Sequence, residues 1–508
     1  MTGRGRGPRC GRRAMVARRT ASEPEVNPAP PGQTGGQFRP LSESGIRRIY
    51  RMALRLLSEL GMGECPDVLV ERSLEARAFR NADGRLCFPE SMVEDLVAGA
   101  ACSITLHGRD PSRSITVGGD SVHFGTGGAA VQTLDLETAT YRPSTIRDLR
   151  DFTRLQDVLT NISWFTRCCI ATDIDDPFDL DINTAHALLA GTTKPVATAF
   201  SHPDNVAHVV RLFDLAEGRD GRFRERPWCA AHISPVISPM RFGDDAVMTA
   251  LQCIRHNIPI SCITAAQSGA TAPAVPAAFL ATSLAETLAS LIMVNLFRPG
   301  HPMIFSNWPL VIDLRTGAFS GGGGESAIMN AASAQISNWL GLPSGIAAGM
   351  SDAKAIDAQM GAEKGITALA TGLAGGNMIY ESAGMMASLL GTSFEAFVLD
   401  NEMNGQVYRI IRGIEVSEDR LVFDDIRHSV LTHGHFLASQ ETMRAMQRDY
   451  VYPELADRNP PEVWAQQGAR DIRDMARRKA RQILDTHRPE YLSAAADAQI
   501  RQEFRIYP

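Results

Sequence analysis

LAGGNMIYESAGMMASLLGTSFEAFVLDNEM, residues 373–403, decides the reading of the fold. Asn377–Tyr380 is a short run of the kind that forms a buried strand. A glycine-containing turn tipped by the acid Glu381 follows, and then a long helix that uses small residues. A strand that ends on a polar turn and hands over to a helix is the unit from which an α/β barrel builds a reactive rim.

Working back from it, the same unit recurs. Short apolar runs lie at Val122–Gly125, Ile162–Ile170, Val196–Phe200, Cys229–Ser234, Pro259–Thr264, Pro302–Ser306 and Ser344–Met350, which with Asn377–Tyr380 makes eight candidate strands. Helical patterns fall between them at Ile146–Leu159, Asp204–Glu217, Arg241–His256, Pro276–Phe297, Glu325–Leu340 and Ala355–Leu373. No dinucleotide glycine fingerprint and no nucleophile-elbow motif follows any run, so the alternation favours a closed (β/α)8 TIM barrel over an open doubly wound sheet. Upstream, Leu41–Leu60 has helical spacing with Ser42 or Ser44 as cap, Pro89–Ala100 is helical, and Ser103–Leu106 and Ser114–Val117 make a hairpin through GRDPSR. The expected organisation is a disordered basic extension at 1–40, an α+β cap at 41–120, the α/β barrel at 121–400 and a mostly helical C-terminal extension at 401–508. That extension has a β-like insert near Val416–Phe423.

Composition agrees with packed helices on a parallel sheet: 44% of the 508 residues are hydrophobic and only 6% aromatic. A formal charge of −6 gives no basic surface for nucleic acid. The exception is the start, where Arg4, Arg6, Arg9, Arg12, Arg13, Arg18 and Arg19 precede the first acid, Glu23. The uncharged run 258–285 is broken by Pro273 and Pro276, against a membrane span. Nine scattered cysteines without a Cys-x-x-Cys pair suit reduced thiols in the cytoplasm. The Ala-rich stretch Ala281–Phe297 could bury against a second subunit or against the barrel itself, which leaves a homo-oligomer open.

If the eight runs are strands, the residues just after them share one face. That rim holds Thr126 with Gly127–Gly128, Ser201 and His202, Ser234, Thr264 with Gln267, Asn307 with Trp308, Ser351 with Asp352, and Glu381 with Ser382. The histidines are dispersed, and the pair His433 and His435 has no third ligand beside it, so no metal site is expected. No Ser-His-Asp or Cys-His arrangement can be read. Acid pairs such as Asp313 with Glu325, or Glu381 with Asp400 and Glu402, serve acid–base work or simply line a solvated rim. Chemistry on a permanent cation asks less of a protein: carboxylates and aromatic faces that hold a desolvated ammonium and aim one methyl group outward. Glu381 and Asp352 are the candidate catalytic carboxylates, with Trp308, Tyr380, Asn307 and Gln267 as candidate binding residues; packing alone would also account for the two rings. The run Gly321–Gly324 before Glu325 opens a helix, so Gly322, Gly323 and Glu325 form either an anion cradle or a lid.

Three blocks in order carry a resemblance: GMSDAKAIDAQMGAEKG at 349–365, the 373–403 stretch, and HGHFLASQETM at 433–443 followed by YPEL at 452–455 and Asp457–Arg458. They resemble the trimethylamine methyltransferase family of amine:corrinoid methyltransferases, with a looser likeness back to about Pro40. The resemblance implies methyl transfer from a methylated amine to the cobalt of a separate corrinoid protein docked over the barrel mouth, with no tightly bound cofactor in the chain itself. Family members acting on trimethylamine carry pyrrolysine; this chain has only the twenty standard residues. A protonated tertiary amine is the poorer methyl donor without such help, so the expected substrate is a quaternary amine of the betaine kind. The alternatives are a trimethylamine-type enzyme, a barrel lyase working without corrinoid, and a catalytically silent quaternary-amine-binding protein.

Overall fold

The computed structural model describes residues 27–508, so the arginine-rich start lies outside the described residues. All eight expected strands are present: β1 (Ser121–Phe124), β2 (Phe165–Thr166), β3 (Val196–Thr198), β4 (Cys229–Ile233), β5 (Ile260–Thr264), β6 (Met303–Asn307), β7 (Ser344–Ala347) and β8 (Met378–Tyr380). They lie parallel in one curled sheet, each beside the next in sequence from β2 to β8, with β8 paired to β1. The free edges of β1 and β2 also approach each other. Gly125 and Trp164 form a parallel bridge, and the Ser163 N–H donates to the Phe124 carbonyl at 2.8 Å.

A helix follows every strand: α1 (Ile146–Asp157), α2 (Pro177–Gly191), α3 (Asn205–Ala216), α4 (Asp244–Arg255), α5 (Pro276–Phe297), α6 (Gly324–Trp339), α7 (Ala358–Leu373) and α8 (Phe394–Arg412). Sequence spacing overlooked α2 because its residues are buried on nearly every side, which erases the amphipathic stripe. The residues Arg241–Phe242 pair with Val236–Ile237 as a ribbon, so α4 starts three residues later than expected.

The upstream part packs on α5. Helices Glu43–Arg55 and Glu90–Gly99 cover the outer side of α5 while β5 and β6 cover the inner side. That sandwich explains its composition: α5 alone among the described helices is long and apolar enough to cross a membrane, yet 83% of its most apolar window is buried inside the protein. Ser42 caps the helix Glu43–Arg55, accepting from the Gly45 N–H, and Ser103–Leu106 pairs antiparallel with Ile115–Gly118, as expected.

Two expectations need correction. Residues 27–40 are not part of a disordered extension: Gln33–Thr34 adds an antiparallel strand to the foot of β1, Ala29 is buried, and Gly36 and Phe38 both donate to the Leu373 carbonyl. The proline and glycine spacing there reads as disorder, but these residues fit a narrow path between β1 and α7. Near 416–423 the chain forms no β insert; it makes a helical turn at Glu418–Leu421 and then a helix, α9 (Phe423–Thr432). Farther on, Ile472–Thr486 packs against α8 and α1, and Ala494–Glu503 against α3.

Candidate active site

Paired residues on parallel strands face the same side of a sheet. The registers Gly125 with Trp164, His232 with Ser261, Ser306 with Gly345 and Ala347 with Tyr380 therefore gather these side chains on the inside of the curl. Large rings and small residues alternate around it. A Cβ at Gly125 would sit 2.0 Å from Trp164 Cε2, so the Trp164 ring occupies space that only glycine leaves open.

Tyr380 stands at the centre. Its ring meets Trp164, Trp308 and His232 at centroid distances of 4.5, 5.0 and 5.1 Å, and its hydroxyl donates to Ser261 Oγ at 2.9 Å. His232 can be assigned a tautomer. The Thr166 hydroxyl donates to the Ala197 carbonyl at 3.0 Å, so its oxygen accepts from His232 Nδ1 at 3.2 Å. That leaves Nε2 bare, sealed from solvent and without a protein partner. Burial, with help from Arg167, pushes the imidazole down to about 3, so the ring is neutral.

Glu381 follows Tyr380 in a left-handed backbone conformation, φ 67°, that turns its side chain over the Gly127–Gly128 turn. The fit is tight: a Cβ at Gly127 would lie 2.6 Å from Glu381 Oε1. The carboxyl is 1% exposed, and neither oxygen completes a hydrogen bond; the Gly128 N–H faces it without reaching bonding geometry. Burial raises its pKa to about 8, partly offset by the Lys364 charge and the Gly128 dipole. Unmet polar atoms are not confined to Glu381. Trp308 Nε1, both Asn307 side-chain atoms and Thr264 Oγ1 are also buried without partners, and Thr264 and Asn307 are opposite each other in register. Buried polar atoms left unsatisfied each cost about 1–3 kcal/mol, so the group at these strand ends is the candidate place for a ligand or water to supply partners.

Beneath this turn, Lys364 of α7 is fully buried and donates to the Gly349 carbonyl at 2.7 Å and to Asp400 of α8 at 2.9 Å. Asp400 also accepts from the Gly384 N–H at 2.7 Å. Its carboxyl is still raised, because burial outweighs the lysine. The pair fixes both sides of the loop that carries Glu381. Over the same sector, Gln132–Leu134, Tyr141–Pro143, Met385–Met386 and Gly391–Ser393 make a small four-stranded sheet from the connections after β1 and β8.

The candidate residues read from the sequence thus divide. Tyr380 and Trp308 come together, Glu381 directly follows Tyr380 at the end of β8, and Asn307 directly precedes Trp308 at the end of β6. Asp352 is engaged elsewhere: it accepts from the Gly321 and Gly322 N–H groups at 3.1 and 3.2 Å and from the Ser388 hydroxyl at 2.9 Å. This corrects the expectation of an anion cradle at that point, since an internal carboxylate already takes the Gly322 N–H. Gly323 caps α6, Glu325 is exposed, and Gln267 lies exposed on a turn that its own carbonyl organises. Asp313 pairs with Arg315, and Glu402 accepts from the N–H groups of Glu454, Leu455 and Ala456, holding the YPEL turn. His428, His433 and His435 have neighbouring rings on the surface. Among the described residues no three potential ligands converge for a metal.

Sequence reading missed Trp164, His232 and Lys364, and it named Asp400 as an acid partner of Glu381 where the structure pairs it with Lys364. Alternation within the strand runs would have placed the first two inward; a lone lysine on an otherwise apolar helix face was the available signal for the third.

The sequence model for trimethylamine methyltransferase matches residues 8–506. The chain belongs to the trimethylamine methyltransferase family. Family relatives include the trimethylamine methyltransferase MttB of Desulfitobacterium hafniense, 30% identical over 482 residues that cover 92% of this chain and 96% of the relative. The glycine betaine methyltransferase of Desulfitobacterium hafniense strain Y51 is 26% identical over 474 residues, covering 92% and 97%. Among solved structures, the monomethylamine methyltransferase of Methanosarcina barkeri aligns with a TM-score of 0.48 at 13% identity, over 89% of this chain and 95% of the other. Membership in this family makes the protein a methyltransferase enzyme.

Proposed function

We propose that the chain is a closed (β/α)8 barrel that moves a methyl group from a quaternary amine of the betaine kind to the cobalt(I) of a corrinoid held by a separate, cytoplasmic partner protein. One observation carries this reading: Glu381, a buried carboxyl without a completed hydrogen bond, directly follows Tyr380, whose ring packs on Trp308. A quaternary ammonium ion has no N–H to satisfy. It needs diffuse negative potential, which an ionised Glu381 and the Trp308 and Tyr380 rings supply together. Asn307 Nδ2, Trp308 Nε1 and the Thr264 hydroxyl are donors suited to a carboxylate at the other end of a betaine.

The step asks for no proton. The C–N bond breaks with its electron pair left on nitrogen, the methyl group is taken up by the electron pair of the cobalt(I) substrate, and a neutral tertiary amine departs. The protein's share is to strip water from the cation, hold it and direct one methyl toward the mouth. Asp352 keeps a positioning role by fixing the glycine loop. The partner contributes the corrinoid as methyl acceptor, so no residue here needs to ligate it.

The purified protein, mixed anaerobically with cob(I)alamin and a panel of betaines, carnitine, choline and trimethylamine, tests this directly. Methylcobalamin is expected with at least one quaternary compound, followed by its absorption spectrum. Methylation from trimethylamine alone would replace the substrate class; no methylcobalamin from any compound would sink the reaction.

A further inference from the structure

Arg167 is the first residue past β2, and among the described residues it has no hydrogen-bond or ion-pair partner. Its backbone is held on both sides: the Thr166 carbonyl accepts from the Thr126 hydroxyl at 3.0 Å, and the Cys168 carbonyl accepts from the Ala130 N–H at 3.1 Å. Two neighbours report where the guanidinium lies. After burial, its charge is what holds the His232 imidazole down inside the curl, and it works against the burial that raises the Asp181 carboxyl on α2. The arginine therefore stands at the mouth, between the interior and α2. Asp181 does not neutralise it, because no ion pair joins them and that carboxylate already accepts from the Ser201 N–H and hydroxyl at 2.8 and 2.9 Å and from Asn205 Nδ2 at 2.8 Å. Burial pushes the arginine below its ordinary range, yet a guanidinium stays charged in a protein. A charge drawn out of water is normally paired.

We propose that Arg167 is the counter-charge for a carboxylate on the substrate, so that the site selects quaternary amines that carry an acid and rejects choline and simple tetraalkylammonium ions. This rests on the reading of Glu381 as the partner of the cationic end. Glu381 follows β8 and Arg167 follows β2, with only β1 between them. At ~4.8 Å per strand their backbones stand about 10 Å apart. A betaine of glycine length, with ~2.5 Å from nitrogen to carboxylate carbon, bridges that span when each charge lies about 4 Å from its partner. The two side chains do not cancel one another, since both Glu381 oxygens are without a partner. The neutral donors of Thr264 and Asn307 bond a hydroxyl as readily as a carboxylate. A full positive charge selects the acid, and it repels a cation that brings none.

Calorimetric titration of the full chain tests this with glycine betaine, with choline, and with tert-butylacetate, in which a neutral tert-butyl group replaces the trimethylammonium. Arg167→Gln should weaken glycine betaine and tert-butylacetate about 10- to 100-fold and leave choline unchanged or bound more tightly. Arg167→Lys, which keeps the charge, should recover part of that loss. Equal affinity for glycine betaine in wild type and Arg167→Gln overturns the proposal, and so does a loss that choline shares equally. Should the variants fail to fold, wild type alone decides. It should bind tert-butylacetate about tenfold or more tighter than the alcohol tert-butylethanol, and parity between the two, or binding of neither, overturns the role of Arg167. These two probes contain no cation and no methyl group on nitrogen, so failure here is distinct from failure of the proposed methyl transfer.

Discussion

Glu381 should make cation binding depend on pH in a way that few carboxylates can. With its pKa at about 8 in the empty site, only about one molecule in eleven carries the ionised carboxylate at pH 7. A quaternary cation binds the ionised form, so the apparent affinity should fall about tenfold per pH unit below 8 and level off above it. At pH 7 the loss is about elevenfold, or ~1.4 kcal/mol. Calorimetric titration with glycine betaine, which carries no group that titrates between pH 6 and 9, should show this slope. It should also show a binding enthalpy at pH 7 that changes with the buffer, reporting release of nearly one proton per ligand. Glu381→Gln should bind weakly and without slope. The same shift acts on folding. A carboxyl whose folded pKa lies above its unfolded value near 4.5 holds its proton more tightly in the folded state. Its contribution to stability is therefore complete below pH 4.5 and is lost as pH rises to 8, by up to about 5 kcal/mol for so buried a group. Glu381→Gln should thus raise the melting temperature of the ligand-free protein at pH 8 and leave it nearly unchanged at pH 4.5. An affinity that is flat from pH 6 to 9, with a variant whose melting profile parallels wild type, would refute the assignment of Glu381 as the cation's counter-charge.

Gly127→Ala places a methyl group 2.6 Å from Glu381 Oε1 and should abolish cation binding measured by calorimetry, with secondary structure by circular dichroism retained. Trp308→Leu removes a cation-binding face and should weaken binding by ~0.5–2 kcal/mol, about 2- to 30-fold, alongside a lower melting temperature from the cavity that the smaller side chain leaves beside Tyr380. Lys364→Met leaves Asp400 buried without its cation and should cost about 3–5 kcal/mol in denaturant unfolding, whereas Lys364→Met with Asp400→Leu should recover most of that loss. Asp352→Ala frees the Gly321 and Gly322 N–H groups, and hydrogen exchange over residues 320–324 should accelerate while that over β6 stays slow.

Local pattern carried the fold a long way. Eight short apolar runs separated by helical spacing were enough to place all eight strands, because a strand covered on both faces must be apolar and brief whatever its neighbours are. The same logic failed where burial was complete on all sides, as in α2, and where proline and glycine hid an ordered path, as at 27–40. For the candidate site, the end of each strand could be named from sequence, which brought Glu381, Tyr380, Asn307 and Trp308 into view. What those residues do there could not, because a carboxylate's role depends on partners far away in the chain. Asp352 and Glu381 look alike as acids after strands. Only the curl of the sheet shows that one is saturated by the N–H groups of Gly321 and Gly322, while the other is pressed against Gly127 with nothing to bond. Strand periodicity is a property of neighbouring residues and is written in the sequence; the satisfaction of a buried charge depends on residues far apart in the chain, and it exists only once β8 has paired with β1 and the loops have packed over the strand ends.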